Sequence, residues 1–426
     1  MSVPCFATTA PGLEPFLERE LRELGFEGLS RGPSGVAFEA DRLGFMRACL
    51  SLRTAHRVLR TLGTADASSP EALYASVRRL VDWPAMAPPD KTLAVYATAR
   101  DSVFRDARLA GLTVKDAVVD AVRDALGARP SVDTKDPDLL LRVGVKGRHA
   151  VVSLDGAGKD SLHARGYRRD AGEAPLRETL AAAMVLASRW DGASPLVDPV
   201  CGAGTLLVEG AMFSRGIAPG LLRERFGFER WVGHDPADLD ELRMLLRRRV
   251  DVARGAIVGR DTDAVSLAIA RENAERAGVA DGMDLAEGDV RELVAPPGGP
   301  GVVLANPPYG HRLGGPEDAE ATVEALGRTL RERFAGWTAV VVLPPELVPR
   351  LGLPVERSLA TRNGPIEIAL ARIRVGAEGR APTDDRRGKP RRDERAASAE
   401  HRPRGPRKAG WAGLATSSGR GGRGRD

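Results

Sequence analysis

The chain has few cysteines, no long apolar run and no lysine-bearing phosphate loop, and each lack removes a class of protein. Only Cys5, Cys49 and Cys201 occur in 426 residues. They are odd in number and widely spaced, which excludes a disulfide framework or a paired-cysteine zinc site and suits a reducing cytosol. No stretch approaches the roughly 18 apolar residues of a membrane span, and the N-terminus lacks the basic and apolar regions of a secretory signal. No metal and no membrane are therefore expected as partners, and no internal repeat is apparent. Excess positive charge is also missing from most of the chain. The net charge is +5, yet Gly376 to Asp426 hold 14 Lys/Arg against 7 Asp/Glu, so residues 1–375 carry −2. The segment 376–426, with Arg386-Arg-Gly-Lys-Pro-Arg-Arg392 and Gly419-Arg-Gly-Gly-Arg-Gly-Arg425, has almost no apolar content. It is expected to be a disordered Arg/Gly-rich tail that attracts phosphates in a salt-dependent way or serves only to solubilise. What is present is ordinary for a soluble protein, 42% hydrophobic and 28% charged, in a length sufficient for two or three domains.

The most informative segment is Gly301-Val-Val-Leu-Ala-Asn-Pro-Pro-Tyr-Gly310, a short buried strand delivering Asn306, Pro307, Pro308 and Tyr309 to a sheet edge. Such a tetrapeptide suits methylation of a planar amino nitrogen, whose delocalised lone pair is a poor nucleophile. The Asn306 side-chain oxygen and the Pro307 carbonyl can each accept one N–H of the amine and favour the developing positive charge. The prolines fix φ and remove competing donors, and Tyr309 offers a face for a flipped base. A strand-ending turn is the plainer reading of the same residues.

A second motif lies 108 residues upstream, at Pro195-Leu-Val-Asp-Pro-Val-Cys-Gly-Ala-Gly-Thr205. It reads as a short strand, a Gly-x-Gly turn and an apolar helix from Leu206. Gly202 and Gly204 permit positive φ and close approach of a ligand, and the helix N-terminus favours an anionic group. No Gly-Lys-Ser/Thr follows, and the third glycine of a dinucleotide fingerprint is missing. A methionine carboxylate fits instead. Ala256 to Asp261 reads as the next strand, ending in an acid suited to ribose hydroxyls. Ala264 to Ala277 reads as an amphipathic helix stopped by Gly278, and Met283 to Glu287 as a third strand with Asp289 beyond its end. Cys201 reads as a small packing residue in the loop, not a nucleophile. Ligands of such open sheets sit at the carboxyl ends of the strands, where these elements converge.

This order of motifs resembles the class I S-adenosylmethionine-dependent methyltransferases. The flanks narrow the likeness: Ser161-Leu-His-Ala-Arg-Gly-Tyr-Arg168, Ala174-Pro-Leu-Arg-Glu-Thr-Leu-Ala-Ala-Ala183, Ala218-Pro-Gly-Leu221, Phe226-Gly-Phe-Glu-Arg-Trp231 and Asn306-Pro-Pro-Tyr-Gly-His-Arg-Leu313 look like the RlmL type of 23S ribosomal RNA guanine-N2 methyltransferase. Cys5-Phe-Ala-Thr-Thr-Ala-Pro-Gly-Leu-Glu14, Lys115-Asp-Ala-Val-Val-Asp120, Gly127-Ala-Arg-Pro130 and Pro137-Asp138 are similar to that family's ferredoxin-like and THUMP segments. The resemblance covers residues 1 to about 375. It implies an α/β fold: a doubly wound, Rossmann-like class I methyltransferase domain at 161–375, preceded by an α+β region of a ferredoxin-like subdomain, 1–60, and a THUMP RNA-binding domain, 61–160.

The resemblance also implies roles. Asp198, Cys201, Gly202, Gly204 and Thr205 would contact the methionine end of S-adenosyl-L-methionine, Asp261 the ribose and Asp289 the adenine, while Asn306 to Tyr309 hold the target amine. Transfer would be direct, without an obligatory general base. The family's Gly-Ser-Gly is Gly202-Ala-Gly204 here, a loss of one hydroxyl that backbone contacts survive. Some relatives carry a second fused methyltransferase domain; the chain stops before one, so that second activity is expected to be absent. The partner implied is RNA, 23S rRNA or a large-subunit assembly intermediate, in the cytoplasm. Candidate RNA contacts are Lys115, Arg129, Arg165, Tyr167, Arg168 and Arg169, since arginine suits phosphate forks and base stacking. Alternatives are guanine-N2 methylation of transfer RNA, methylation of adenine N6 or a glutamine side chain, and a noncatalytic RNA-binding ribosome-assembly factor retaining the fold.

The N-terminal pattern alone gives an α+β module without assignable function. Glu14 to Leu24 places Phe16, Leu17, Leu21 and Leu24 on one helical face. Glu71 to Leu80 and Thr113 to Leu126 also read as helices, the latter opened by a Thr113–Asp116 capping box. Leu93 to Thr98, Leu139 to Val145 and Ala150 to Leu154 read as strands. Ala339 to Leu343 and Pro365 to Ile373 are expected to supply the last strands of the catalytic sheet.

Overall fold

The computed structural model describes residues 2–168, 176–252, 254–308 and 316–376. The expectations for Arg169, Tyr309 and the segment 377–426 lie outside the described residues.

The N-terminal region is one continuous eight-stranded sheet. Its strands run in the spatial order Ser30–Gly32, Gly35–Ala40, Val3–Thr8, Arg57–Asp66, His149–Asp155, Leu139–Lys146, Thr92–Arg100, Ser131–Val132. The strand Arg57–Asp66 joins its two halves, pairing antiparallel with Val3–Thr8 through Cys5↔Arg60 and with His149–Asp155 through Ala65↔Ala150. The division expected at residue 60 thus falls inside a strand. Alternation decides what each face does. Cys5, Ala7 and Val58 lie in one core under the helices Glu14–Glu23 and Arg42–Ser51, while Leu93, Leu139, Leu141 and Val143 lie in a second core under Ala107–Leu126. The opposite face carries Thr8, Arg57, Thr61, Tyr96, Thr98 and Arg142, which line an open trough.

The helix expected from Thr113 begins six residues earlier. Asp106 is its N-cap and accepts from Arg108 N at 2.8 Å, while the Thr113 hydroxyl bonds back to the Leu109 carbonyl at 2.8 Å and is interior. The Thr-x-x-Asp pattern was a false start, because buried Ala110 and Gly111 extend the apolar stripe upstream. Gly127, at φ 73°, closes the helix in the left-handed region that favours glycine.

The second region is a seven-stranded sheet. Its strands are β1 (Leu196–Asp198), β2 (Ile257–Asp261), β3 (Met283–Glu287), β4 (Val302–Ala305), β5 (Thr338–Leu343), β6 (Arg357–Asn363) and β7 (Ile366–Arg374). The spatial order is β3-β2-β1-β4-β5-β7-β6, with β1 to β5 parallel and β7 antiparallel to both neighbours. The inner strands β1, β4 and β5 are mostly apolar because both faces are covered, while the outer strands β3 and β6 are partly exposed. Leu196, Ile257, Leu304 and Val340 meet one core with helices α1 (Glu178–Ser188), α2 (Thr205–Ser214) and α4 (Ala264–Arg276). Val197, Val258, Val303 and Val341 meet the other core with α5 (Pro316–Arg333). Between α2 and β2 an insertion carries α3 (Pro236–Arg247) and two 3₁₀ turns, whose Phe226 and Phe228 pack into the first N-terminal core. Three of the Arg223 hydrogen bonds, to the carbonyls of Ser161, Ala164 and Asp160, clamp the linker to that insertion. Among the described residues no helix is long and apolar enough to cross a membrane.

Candidate active site

The register brings the motifs together. Val302 and Val303 of β4 pair with Leu196 and Val197 of β1, and Val197 pairs with Val258 of β2. Asn306, the loop after Asp198, and Asp261 therefore emerge side by side at the carboxyl edge of three adjacent parallel strands, at the switch in strand order where such sheets bind ligands.

The glycine loop is held from several directions. Cys201 N donates to the Arg260 carbonyl at 2.9 Å and Gly204 N to the Cys201 carbonyl at 2.8 Å. Gly202 N donates to Asp261 Oδ2 at 2.7 Å. The two glycines serve different ends. A Cβ on Gly204, at φ 77°, would meet Ala270 Cβ of α4 at 2.9 Å, so its smallness allows helix against loop; nothing lies within 4 Å of one on Gly202, at φ 50°. The space expected for a ligand is at Gly202. Helix α2 has no side-chain cap on its N-terminus, leaving its first N–H groups and positive dipole end for an anion.

The acids differ in state. Asp198 is 1% exposed, and its Oδ1 accepts from Val200 N at 3.1 Å. Burial pushes its carboxyl well up; the Val200 N–H opposes this and the Asp261 charge adds to it. The folded state then holds this proton more tightly than the unfolded chain. Its ionisation costs stability as pH rises through the usual carboxylate range near about 4, and the cost is complete above the raised folded value. Asp198→Asn is expected to melt higher than wild type at pH 8 and to lose that advantage at strongly acidic pH. A lower melting temperature at pH 8 would contradict this. Half-buried Asp261 also accepts from Asp263 N at 3.0 Å, which leaves acceptor sites for hydroxyls on its carboxylate. Asp289, just past β3, is held by Arg291 through its backbone N–H at 2.7 Å and its guanidinium at 2.8 Å.

Cys201 is buried beside Gly259, and burial pushes its thiol up, so only its backbone faces the site. The Thr205 hydroxyl is taken by Arg168 Nη2 at 2.5 Å. Asn306 holds an open acceptor. Its Oδ1 is buried and accepts no hydrogen bond among the described residues, although nearly every buried polar atom in a folded protein has a partner. Pro307 is buried and Pro308 half-buried. Among the described residues no group of His, Cys, Asp or Glu could hold a metal ion.

Two proposed RNA contacts are corrected. Arg165 and Tyr167 are 2% and 1% exposed. Both approach Glu209 Oε1 of α2 at 3.3 Å, and Arg165 also donates to the carbonyls of Leu162 and Arg53. They stitch the linker to α2 and to the N-terminal region, because charge buried at that junction requires a partner. Arg168 is mostly buried, between Thr205, the Leu176 carbonyl and Glu178. Lys115 is half-buried and pairs with Asp116 at 2.5 Å; Arg129 is exposed. Sequence reading missed Asn273, fully buried on α4, whose Nδ2 donates to the Ala203 carbonyl of the glycine loop at 2.9 Å while Arg276 holds its Oδ1 at 2.6 Å. A polar residue on the apolar stripe of Leu267, Ala270 and Ala274 was the available signal.

Residues 4–59 match the RlmL ferredoxin-like domain, 67–155 the THUMP domain and 165–351 the RMKL-like methyltransferase domain. The segment 165–351 is an RMKL-like methyltransferase domain. It is similar to the ribosomal RNA large subunit methyltransferase K/L of Chromohalobacter salexigens, 42% identical over 86% of this chain and 52% of that protein. The protein of the same name from Methylococcus capsulatus is 39% identical over 88% of this chain and 51% of its own length. The chain thus spans about half the length of the curated relatives it matches. It also resembles the crystal structure of SMU.472 complexed with SAH, at 27% identity and a TM-score of 0.79, over 88% of this chain and 99% of that one. The matched segment 165–351 contains the glycine loop, Asp261, Asp289 and Asn306.

Proposed function

We propose that the chain methylates the exocyclic N2 amine of a guanosine in 23S ribosomal RNA, using S-adenosyl-L-methionine, in the cytosol. The observation that carries this reading is the buried Oδ1 of Asn306, without a partner among the described residues, beside an open glycine loop. A buried acceptor left unpaired costs about 1–3 kcal/mol, and an incoming amine N–H removes that cost. Bound S-adenosyl-L-methionine supplies a methyl group already activated on sulfur. The protein's share is position and polarity. Asn306 Oδ1 and the Pro307 carbonyl accept the two amine hydrogens, and Pro308 and Tyr309 complete the platform. Gly202 and the α2 N-terminus, with Asp198, Cys201, Gly204 and Thr205 shaping the loop, take the methionine end; Asp261 takes the ribose and Asp289 the adenine. Asn273 fixes the loop from behind. Residues 1–60 and 61–160 anchor the RNA, 161–375 carry the transfer, and the arginine-rich segment 376–426 adds phosphate attraction.

The names of the curated relatives favour ribosomal over transfer RNA. The comparison that tests this is labelled methyl incorporation into 23S rRNA and into transfer RNA offered separately. Label in 23S rRNA alone is expected; label confined to transfer RNA would replace the substrate while keeping the chemistry.

A further inference from the structure

The open face of the N-terminal sheet is chemically uneven. A trough of about 630 Å³ crosses it, lined by residues of the strands Val3–Thr8, Arg57–Asp66, His149–Asp155, Leu139–Lys146 and Thr92–Arg100. That volume is in the range of small-ligand sites, about 300–1,000 Å³. Its lining includes two arginines and no acidic residue. Tyr96 is 48% exposed, and its hydroxyl reaches the Thr134 carbonyl at 3.3 Å. The Arg142 guanidinium covers one face of the ring, 4.8 Å from its centroid, so the aromatic plane is held ready and not free to collapse onto the sheet.

The charges beneath are arranged to leave one positive fork facing out. Asp155, fully buried, accepts from Arg57 Nη1 at 2.6 Å and from Arg142 Nε at 3.0 Å. Arg57 is further spent on the carbonyls of Gly158 and Lys159. Arg142 gives Asp155 only its Nε, and its two Nη groups have no protein acceptor among the described residues, with the side chain 28% exposed. One buried carboxylate between two guanidinium groups leaves a net charge of about +1 at the trough. An exposed aromatic ring, a free guanidinium fork and no carboxylate are the features that stack a base and hold its phosphate on an open sheet.

We propose that this trough seats an unpaired nucleotide of the RNA substrate, its base stacked on Tyr96 and its phosphate held by the Arg142 fork. The site is distinct from the methyl-transfer edge and rests on the reading that the substrate is RNA. Arg57 ties the trough to the Gly158–Lys159 linker, and Arg223 clamps that linker to the insertion of the catalytic region. A nucleotide seated here is therefore fixed in position relative to Asn306. Lys115 stands on the helix that covers the other face of the sheet and takes no part.

The test is equilibrium binding of a short single-stranded RNA containing 2-aminopurine to the full chain, whose fluorescence falls when the base stacks. Tyr96→Ala is expected to weaken binding about tenfold or more and to abolish the quench, while Tyr96→Phe retains both. Arg142→Met is expected to lower the log–log salt slope by about one. Tyr96 is exposed, so melting temperatures of Tyr96→Ala and Tyr96→Phe should match wild type. Unchanged affinity in Tyr96→Ala, or wild-type binding to duplex RNA only, would overturn the proposal. Asn306→Ala should bind and quench like wild type. A wild-type protein that quenches but transfers no methyl group would sink the proposed function and leave the trough standing.

Discussion

Asn306→Ala is expected to slow methyl transfer by about two to three orders of magnitude, the usual cost of one preorganised polar contact to a developing charge, with S-adenosyl-L-methionine affinity nearly unchanged. The asymmetry follows from position. Asn306 lies one residue past β4, while the elements proposed for the cofactor belong to β1, β2, β3 and the loop between β1 and α2. Its Oδ1 has no hydrogen-bond partner among the described residues, so truncation removes no hydrogen bond of that oxygen to them and should not lower the melting temperature. Single-turnover rates at saturating cofactor, with calorimetry for cofactor binding, separate the effects. A variant that keeps full single-turnover activity would remove Asn306 from the chemistry; one that loses cofactor affinity instead would assign it to a different role.

Arg165→Met is expected to destabilise the fold by about 3–5 kcal/mol, because removing one partner of a buried ion pair leaves the other charge uncompensated. Burial already pushes the Glu209 carboxyl up, and Arg165 and Arg53 act against that rise. Without Arg165, Glu209 keeps, among the described residues, the Tyr167 hydroxyl and the more distant Arg53 charge, and the Leu162 and Arg53 carbonyls lose a donor. Replacing both charges, in Arg165→Met with Glu209→Leu, should recover much of the loss. Chemical denaturation of the single and double variants measures the coupling directly. A single variant as stable as wild type but with a shallower salt dependence of RNA binding would restore Arg165 as a phosphate contact.

These two residues also mark where the sequence was legible. The strand ending at Asn306 and the Gly-x-Gly loop could be read locally, because a strand buried on both faces is a short apolar run and the turn that follows needs particular residues. The segment Met283–Glu287, a half-exposed edge strand, was also placed to the residue. Arg165 and Tyr167 read as candidate RNA contacts in a linker, since nothing in their sequence neighbourhood reveals that Glu209, over forty residues on, lies against them. The Thr113 capping box failed because local pattern cannot tell a helix start from an interior turn when the apolar stripe continues upstream. Gly204 was singled out as a ligand-contacting glycine, and what its neighbours along the chain do not reveal is Ala270, on a helix sixty-six residues away, which leaves no room for a Cβ there. The trough around Tyr96 was hidden in a strand whose inward residues are ordinary, and only the pairing of five strands assembles it.

The central claim is tested most directly by digesting 23S rRNA to nucleosides after incubation with the protein and labelled S-adenosyl-L-methionine, and identifying the labelled product by mass spectrometry. The label is predicted in N2-methylguanosine, and absent from the same digest made with Asn306→Ala. Label in N6-methyladenosine, or none in any nucleoside, would contradict the account.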